Sequence, residues 1–196
     1  PGSALRGPGP ELLRASPPPR RAWRAAATAL LAACASTGSD GPPAGSPPVS
    51  LDRIADARPR VEPLHPGANN PYTVQGKRYV PQRSLQPYRA RGIASWYGRK
   101  FHGKRTSSGE RYDMYAMTAA HTVLPIPSYA RVTHLGNGRS VVVRINDRGP
   151  FHSDRIIDLS YAAAHRLGIV GAGSAQEEVE TIFPGKIAAS GKAASE

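Results

Sequence analysis

With 196 residues and a formal net charge of +12, the chain has room for one modest domain plus tails. The charge is uneven: residues 1–90 carry a net +7 and residues 91–184 a net +4, which argues against a nucleic-acid partner for the compact part. Sixteen of the 20 prolines precede Arg91. A Pro-rich, aromatic-poor stretch buries too little apolar surface to offset its chain entropy, so most of residues 1–90 is expected to be an extended or disordered signal and linker region.

Residues 1–34 read as a signal region. Arg20, Arg21 and Arg24 form a positive segment and Ala25 to Leu31 a short apolar one; Leu31-Ala32-Ala33-Cys34 then resembles a bacterial lipobox, in which the Cys34 thiol takes the lipid. The apolar run is too short for a permanent bilayer helix. An Ala-rich helix with an ordinary buried cysteine is the competing reading. Cys34 is the one cysteine, so its lipidation leaves no thiol for a disulfide. Ala35 rather than Asp follows it, which in a Gram-negative cell favours a periplasm-facing anchor in the outer membrane.

Residues 35–90 are expected to form a Pro-rich linker, with a short hairpin at 72–80 where Tyr72-Thr73-Val74 and Lys77-Arg78-Tyr79-Val80 alternate about a Gly-containing turn. The folded domain is expected at 91–184. Its strands are predicted at Gly92–Tyr97, Met114–His121, Tyr129–Leu135, Ser140–Asn146, Arg155–Leu159 and Glu177–Phe183, with a basic loop at Gly98–Thr106. Gly136-Asn137-Gly138 turns the clearest hairpin, and Val141-Val142-Val143-Arg144-Ile145 is β-branched enough to be central. Ser160 caps a helix over Tyr161–Leu167 that Gly168 stops. Six short strands and one helix fit a mainly β fold, a small closed barrel with no exposed edge. Residues 185–196 read as a disordered tail.

Two segments stand out as chemistry: Gly92-Ile93-Ala94-Ser95-Trp96-Tyr97-Gly98 and Val143-Arg144-Ile145-Asn146-Asp147-Arg148-Gly149-Pro150-Phe151. Each sets polar groups just past a β-type run, where a barrel can hold them rigidly beside a groove. Further ordered blocks are Phe101-His102-Gly103-Lys104-Arg105-Thr106, Gly109-Glu110-Arg111-Tyr112-Asp113, Thr118-Ala119-Ala120-His121, Leu124-Pro125 and Asp158-Leu159-Ser160. Together, over residues 91–183, they resemble the rare lipoprotein A (RlpA) family. The resemblance implies a six-stranded double-psi β-barrel. It implies a lytic transglycosylase that cleaves peptidoglycan glycan strands, preferring strands stripped of stem peptides. The functional positions it carries over are Glu110, Asp113, His121 and Asp147. An expansin-like module that binds glycan without cutting it is the alternative.

Such cleavage needs a carboxyl that delivers its proton to the leaving glycosidic oxygen. Asp147 is the first choice: it follows a buried strand that would raise its pKa, with Arg144 and Arg148 opposing. Glu110, on the Ser107-Ser108-Gly109 loop, could share that duty or stabilise developing positive charge. Asp113 suits orienting a neighbour or capping the next strand, and His121 positioning a carboxylate or binding sugar. Trp96 and Tyr97 point to opposite faces of their strand, so one could line the groove while the other packs, or both could pack. Arg148 and Lys104 are candidate contacts for the anionic glycan. The chain has no His-x-x-x-His or His-x-His pair and no cysteine cluster, so no metal is expected; no Gly-rich phosphate loop points to a nucleotide or other cofactor. The expected state is a monomer.

Overall fold

In the computed structural model, the described residues are 40–47, 50–152 and 154–185. The lipobox and most of the C-terminal tail lie outside them. Six strands close into a barrel: β3 (Arg89–Tyr97), β4 (Thr118–His121), β5 (Ser128–His134), β6 (Ser140–Asp147), β7 (Arg155–Ser160) and β8 (Ser174–Ile182). Their order around the barrel is β3-β7-β4-β6-β5-β8. The pairs β3 with β7 and β4 with β6 are parallel, the others antiparallel. Ahead of the barrel, β1 (Tyr72–Val74) and β2 (Lys77–Tyr79) form the expected hairpin. Its turn, Gln75-Gly76, has both residues at positive φ, which matches the twist of a two-residue hairpin.

The core follows from alternation. Along β6, Val141, Val143 and Ile145 point inward and are almost fully buried, while Arg144 faces outward. Ala94, Ala119 and Ala130 are buried completely, and their small side chains leave room for Ile157, Leu159 and Val179 in a narrow barrel. The helix α1 (Tyr161–Leu167) covers one end with Ala162, Ala163, Ala164 and Leu167. Ser160 Oγ accepts from the Ala163 N–H at its start, and Gly168, at φ 84°, ends it by donating to Ala164 and His165 carbonyls.

Two expectations need correction. The second barrel strand was predicted from Met114, yet β4 begins at Thr118. Asp113 instead caps a turn, its Oδ1 accepting from Tyr115 N–H at 2.9 Å, and that turn buries both Met114 and Met117. The second concerns the linker. Much of 50–88 lies against the barrel rather than away from it. Ala57 N–H donates to Val142 O, His65 N–H to Ile126 O and Gln82 N–H to Val123 O, at 2.8–3.0 Å. Asn69, buried, brackets Ile126 by accepting from its N–H and donating to its carbonyl, at 2.8 and 2.7 Å. Its prolines fix φ at about −65° by their ring, and Pro66 opens a turn over 66–69. A chain already restricted in that way loses less entropy on docking, and its remaining amides find carbonyls on β6 and on the loop after β4.

Candidate active site

At the end of β6 the chain leaves the sheet through Asn146-Asp147-Arg148, and the loop between β3 and β4 folds back over it. Ser108 N–H donates to Asn146 O at 3.3 Å. Ser107 donates to Asp147 Oδ1 twice, from N–H at 2.8 Å and from Oγ at 2.7 Å; Arg148 N–H makes a third bond to the same oxygen at 2.8 Å. Three donors converging on Oδ1 fix the carboxylate's orientation and leave Oδ2 without a protein donor among the described residues. Asp147 borders a cavity of about 390 Å³, walled by Trp96, Tyr97, Phe101 and Phe151. Both residues of the Trp-Tyr pair therefore reach it, although Tyr97 is buried and Trp96 packs its ring on Tyr161, 5.5 Å between centroids.

A second carboxylate, Asp158, opens onto the same cavity. Sequence reasoning placed it in a strand block but gave it no role. The sheet register explains its position: Ala120 on β4 pairs with Asp147 on one side and with Asp158 on the other. Two inter-strand spacings separate their backbones, roughly 10 Å. Ser95 Oγ donates to Asp158 Oδ1 at 2.6 Å, and Arg155 Nη2 stands 3.6 Å from Oδ2. Burial pushes the Asp158 carboxyl above the usual range, with the Ser95 hydrogen bond and Arg155 opposing. Gly149, at φ 139°, passes overhead; a Cβ there would sit 3.9 Å from Asp158 Oδ2. The signal available in sequence was a carboxylate inside the apolar run Ile156-Ile157-Asp158-Leu159.

Glu110 is held elsewhere. Arg144 Nη1 contacts both its oxygens at 2.8 and 2.9 Å, and Asn146 Nδ2 donates to Oε2 at 3.0 Å. The other edge of the same guanidinium grips Glu62 at 2.9 Å through Nε and through Nη2. Arg144's hydrogen bond, with help from Tyr129, holds the Glu62 carboxyl down at about 2 against the cost of burial. Glu110 thus borders a neighbouring hollow of about 350 Å³ shared with Glu62, His65 and Arg144, while Asp147 borders the larger one. Ser107 and Ser108, bonded to Asp147 and to Asn146 O, join the two sites. Neither Arg144 nor Arg148 forms an ion pair with Asp147 among the described residues.

The other candidates divide by what they touch. His121 is 1% exposed and does not line the cavity. Its Nδ1 accepts from Val123 and Leu124 N–H groups at 3.1 and 3.0 Å, so Nε2 carries the proton and faces the Tyr88 hydroxyl at 3.2 Å. Burial, and after it the charge of Arg148, lowers its pKa to about 3. Arg148 touches the cavity, yet its guanidinium turns back to Ala68 O, His121 O, Leu124 O and Asn69 Oδ1. Asp113 lies exposed beside His102, 3.8 Å away, outside the cavity lining. Lys104 holds its ammonium 5.6 Å from the centroid of the Phe101 ring.

Residues 89–179, which include Glu110, His121, Asp147 and Asp158, match the double-psi β-barrel family described as lytic transglycolase. Proteins named endolytic peptidoglycan transglycosylase RlpA are similar over most of the chain. The one from Neisseria meningitidis serogroup A is 58% identical over 134 residues, covering 68% of this chain and 56% of that protein. The one from Vibrio cholerae is 52% identical over 157 residues (78% and 60%), and that from Pseudomonas aeruginosa strain UCBPP-PA14 57% over 138 residues (69% and 40%). The chain belongs to the RlpA family. It spans between 40% and 60% of the length of these three RlpA relatives. A solved structure, Streptomyces papain inhibitor, is similar at a TM-score of 0.39 and 20% identity, covering 49% of this chain and 96% of that one. The family match begins at β3, so the RlpA barrel carries Asp147 and Asp158, while the docked segment 50–88 that buttresses Arg148 lies before it.

Proposed function

We propose that this chain is a lytic transglycosylase of the bacterial cell envelope, cleaving the MurNAc–GlcNAc bond of peptidoglycan glycan strands. The observation that carries the reading is the pair Asp147 and Asp158, set on either side of Ala120 in one aromatic-walled cavity. Their surroundings divide the labour. Asp158, half-buried and with its pKa raised by that burial, is the carboxyl set to give a proton to the leaving glycosidic oxygen. Asp147, its Oδ1 satisfied by three donors, presents Oδ2 to the positive charge that grows on the sugar ring.

As the C1–O bond breaks, the proton moves from Asp158 to the leaving oxygen. The muramic acid C6 hydroxyl oxygen then bonds to C1 and its proton passes to Asp147, closing a 1,6-anhydro ring. No water is consumed. The proton left on Asp147 is exchanged to solvent, and Asp158 regains one, before the next cycle. Trp96 and Phe151 supply faces against which sugar rings stack, and Tyr97, stacked on Tyr112, backs the wall. The name carried by the 58%-identical relative supports the substrate class. Lipidation at Cys34, and with it a periplasm-facing anchor in the outer membrane, completes the proposal on the strength of the lipobox-like Leu31-Ala32-Ala33-Cys34.

The test is incubation with peptide-stripped glycan strands and mass spectrometry of the products. Asp147→Asn and Asp158→Asn should each lower release of anhydro-terminated fragments by about 10²-fold or more while leaving the fold intact. Rate should fall as pH rises through the raised pKa of Asp158, since the acid must be protonated. Products with reducing ends carrying solvent oxygen would replace this reading with hydrolysis. Binding of strands without any cleavage would replace it with the expansin-like module.

A further inference from the structure

The loop after β3 carries a polar site that the cleavage chemistry does not use. The backbone N–H groups of Gly98 and Lys100 both point at one carboxylate, that of Asp40, at 2.6 and 2.9 Å. Between them, Arg99 N–H donates to Gly41 O at 2.9 Å. Amides turned to one side in this way make a concave anion site from backbone alone. Gly98 is part of its shape: a Cβ there would fall 2.3 Å from Gly41 O and 3.0 Å from the Trp96 ring. Asp40 and Phe101 border the same cavity as Asp147, so the site opens onto the region where a glycan would lie.

Asp40 is an occupant of this site supplied by the chain itself, from a segment outside the barrel. Among the described residues, Asp40 and Gly41 supply the hydrogen bonds between this segment and the loop after β3, and residues 42–47 add none. No Lys or Arg side chain pairs with the Asp40 carboxylate among the described residues. The ammonium groups of Lys100 and Lys104 lie instead over Phe101, at 5.9 and 5.6 Å from its centroid, with no hydrogen bond or ion pair of their own among the described residues. Two uncommitted cations, an aromatic face and an amide pair that accepts a carboxylate form one patch at the cavity's edge.

We propose that the Gly98 and Lys100 amides are a subsite for a carboxylate on the glycan strand, the lactyl carboxylate of a muramic acid residue without its stem peptide, and that Asp40 occupies the subsite in the free protein. The inference rests on the peptidoglycan reading above. On a peptide-bearing strand that carboxyl is an amide, neutral and longer, and it lacks the charge that Asp40 presents. The subsite therefore favours stripped strands by chemistry alone. A tethered competitor that fills the site about nine-tenths of the time lowers apparent affinity about tenfold.

The test titrates the full chain with N-acetylmuramic acid and with N-acetylglucosamine, which differ in the lactyl group, and follows backbone amides by ¹H–¹⁵N NMR. N-acetylmuramic acid should move the Gly98 and Lys100 amides and N-acetylglucosamine should not. Asp40→Ala, a change outside the barrel strands, should tighten the apparent Kd about tenfold. Gly98 and Lys100 amides that stay still in Asp40→Ala, or that respond equally to both sugars, overturn the subsite. Cleavage of strands is scored apart from this. Cleavage with silent amides removes the subsite alone, and a selective titration without cleavage removes the transglycosylase reading alone.

Discussion

Replacing Arg148 by alanine should cost stability rather than substrate affinity. The side chain makes five hydrogen bonds to four acceptors: Ala68 O from Nε and Nη2 (3.1 and 3.0 Å), His121 O (3.0 Å), Leu124 O (2.6 Å) and Asn69 Oδ1 (2.8 Å). It thereby ties the docked segment to the turn after β4 and to the end of β6. Truncation strands these acceptors, each worth about 1–3 kcal/mol if it stays dry. Two effects reduce the sum. Carbonyls at the cavity's edge can take water, and burial without an ion-paired carboxylate already pushes the guanidinium down to about 10, so its desolvation offsets part of the gain. A net loss of about 3 kcal/mol remains, equivalent to a fall in Tm of about 10 °C for a domain of this size.

The assay is thermal unfolding by circular dichroism beside glycan binding at a temperature where both proteins are folded. Arg148→Lys should recover less than half of the loss, since an ammonium cannot reproduce the planar fork that reaches four acceptors. An alanine variant that keeps its Tm within 2 °C and loses glycan affinity would refute the reasoning. Arg148 would then be a ligand for the anionic strand, as the sequence suggested.

Two buried groups give stability opposing pH dependences. His121 is held neutral when folded, with a pKa of about 3 against an ordinary 6.5, so its contribution is complete above 6.5 and is lost as pH falls toward 3. From pH 7 to pH 5 that is about 2 kcal/mol. Glu177, buried without a hydrogen bond and raised to about 7, acts in the opposite sense, contributing stability that disappears as pH rises from 4.5 through 7. Urea unfolding of wild type and His121→Gln at both pH values isolates the histidine; parallel losses in the two proteins would contradict its neutral burial. For the anchor, Cys34→Ala should move the protein from the membrane fraction of its host to the soluble one, and unchanged fractionation would remove the lipobox reading.

What the sequence made legible was whatever depends on neighbours in the chain. The alternation Val141, Val143, Ile145, the Gly-containing turns and the Ser160–Gly168 brackets of α1 are local signals, and the structure realises each within a few residues. Local reading failed where a short side-chain bond competes with alternation: Asp113 caps a turn and converts an apparent strand at Met114 into coil that still buries its methionines. It failed again where the partner is distant. Asn69 meets Ile126 at 57 residues' separation, Arg144 joins Glu62 to Glu110, and Asp158 reaches the cavity only because β4 lies between β6 and β7. No window of sequence contains that last fact.

The same arrangement explains why two carboxylates can be set so firmly in a small barrel. Loops that carry acids move, and a proton donor displaced by an ångström loses much of its value. Here the spacing of Asp147 and Asp158 is set by hydrogen-bonded strands on both sides of Ala120. The ladder is irregular at the points that matter. The β4–β6 register shifts between Ala119 and Ala120, and the β3–β7 register between Ile93 and Ala94, next to Ser95. A bulge rotates the strand and re-aims the side chains beyond it, so these shifts turn Asp147 and the Ser95–Asp158 pair toward one cavity that regular pleating would have divided between two faces. A residue larger than alanine at position 120 would stand between the two acids, in space the cavity uses. The small side chain there is therefore part of the site, although it has no chemistry to contribute.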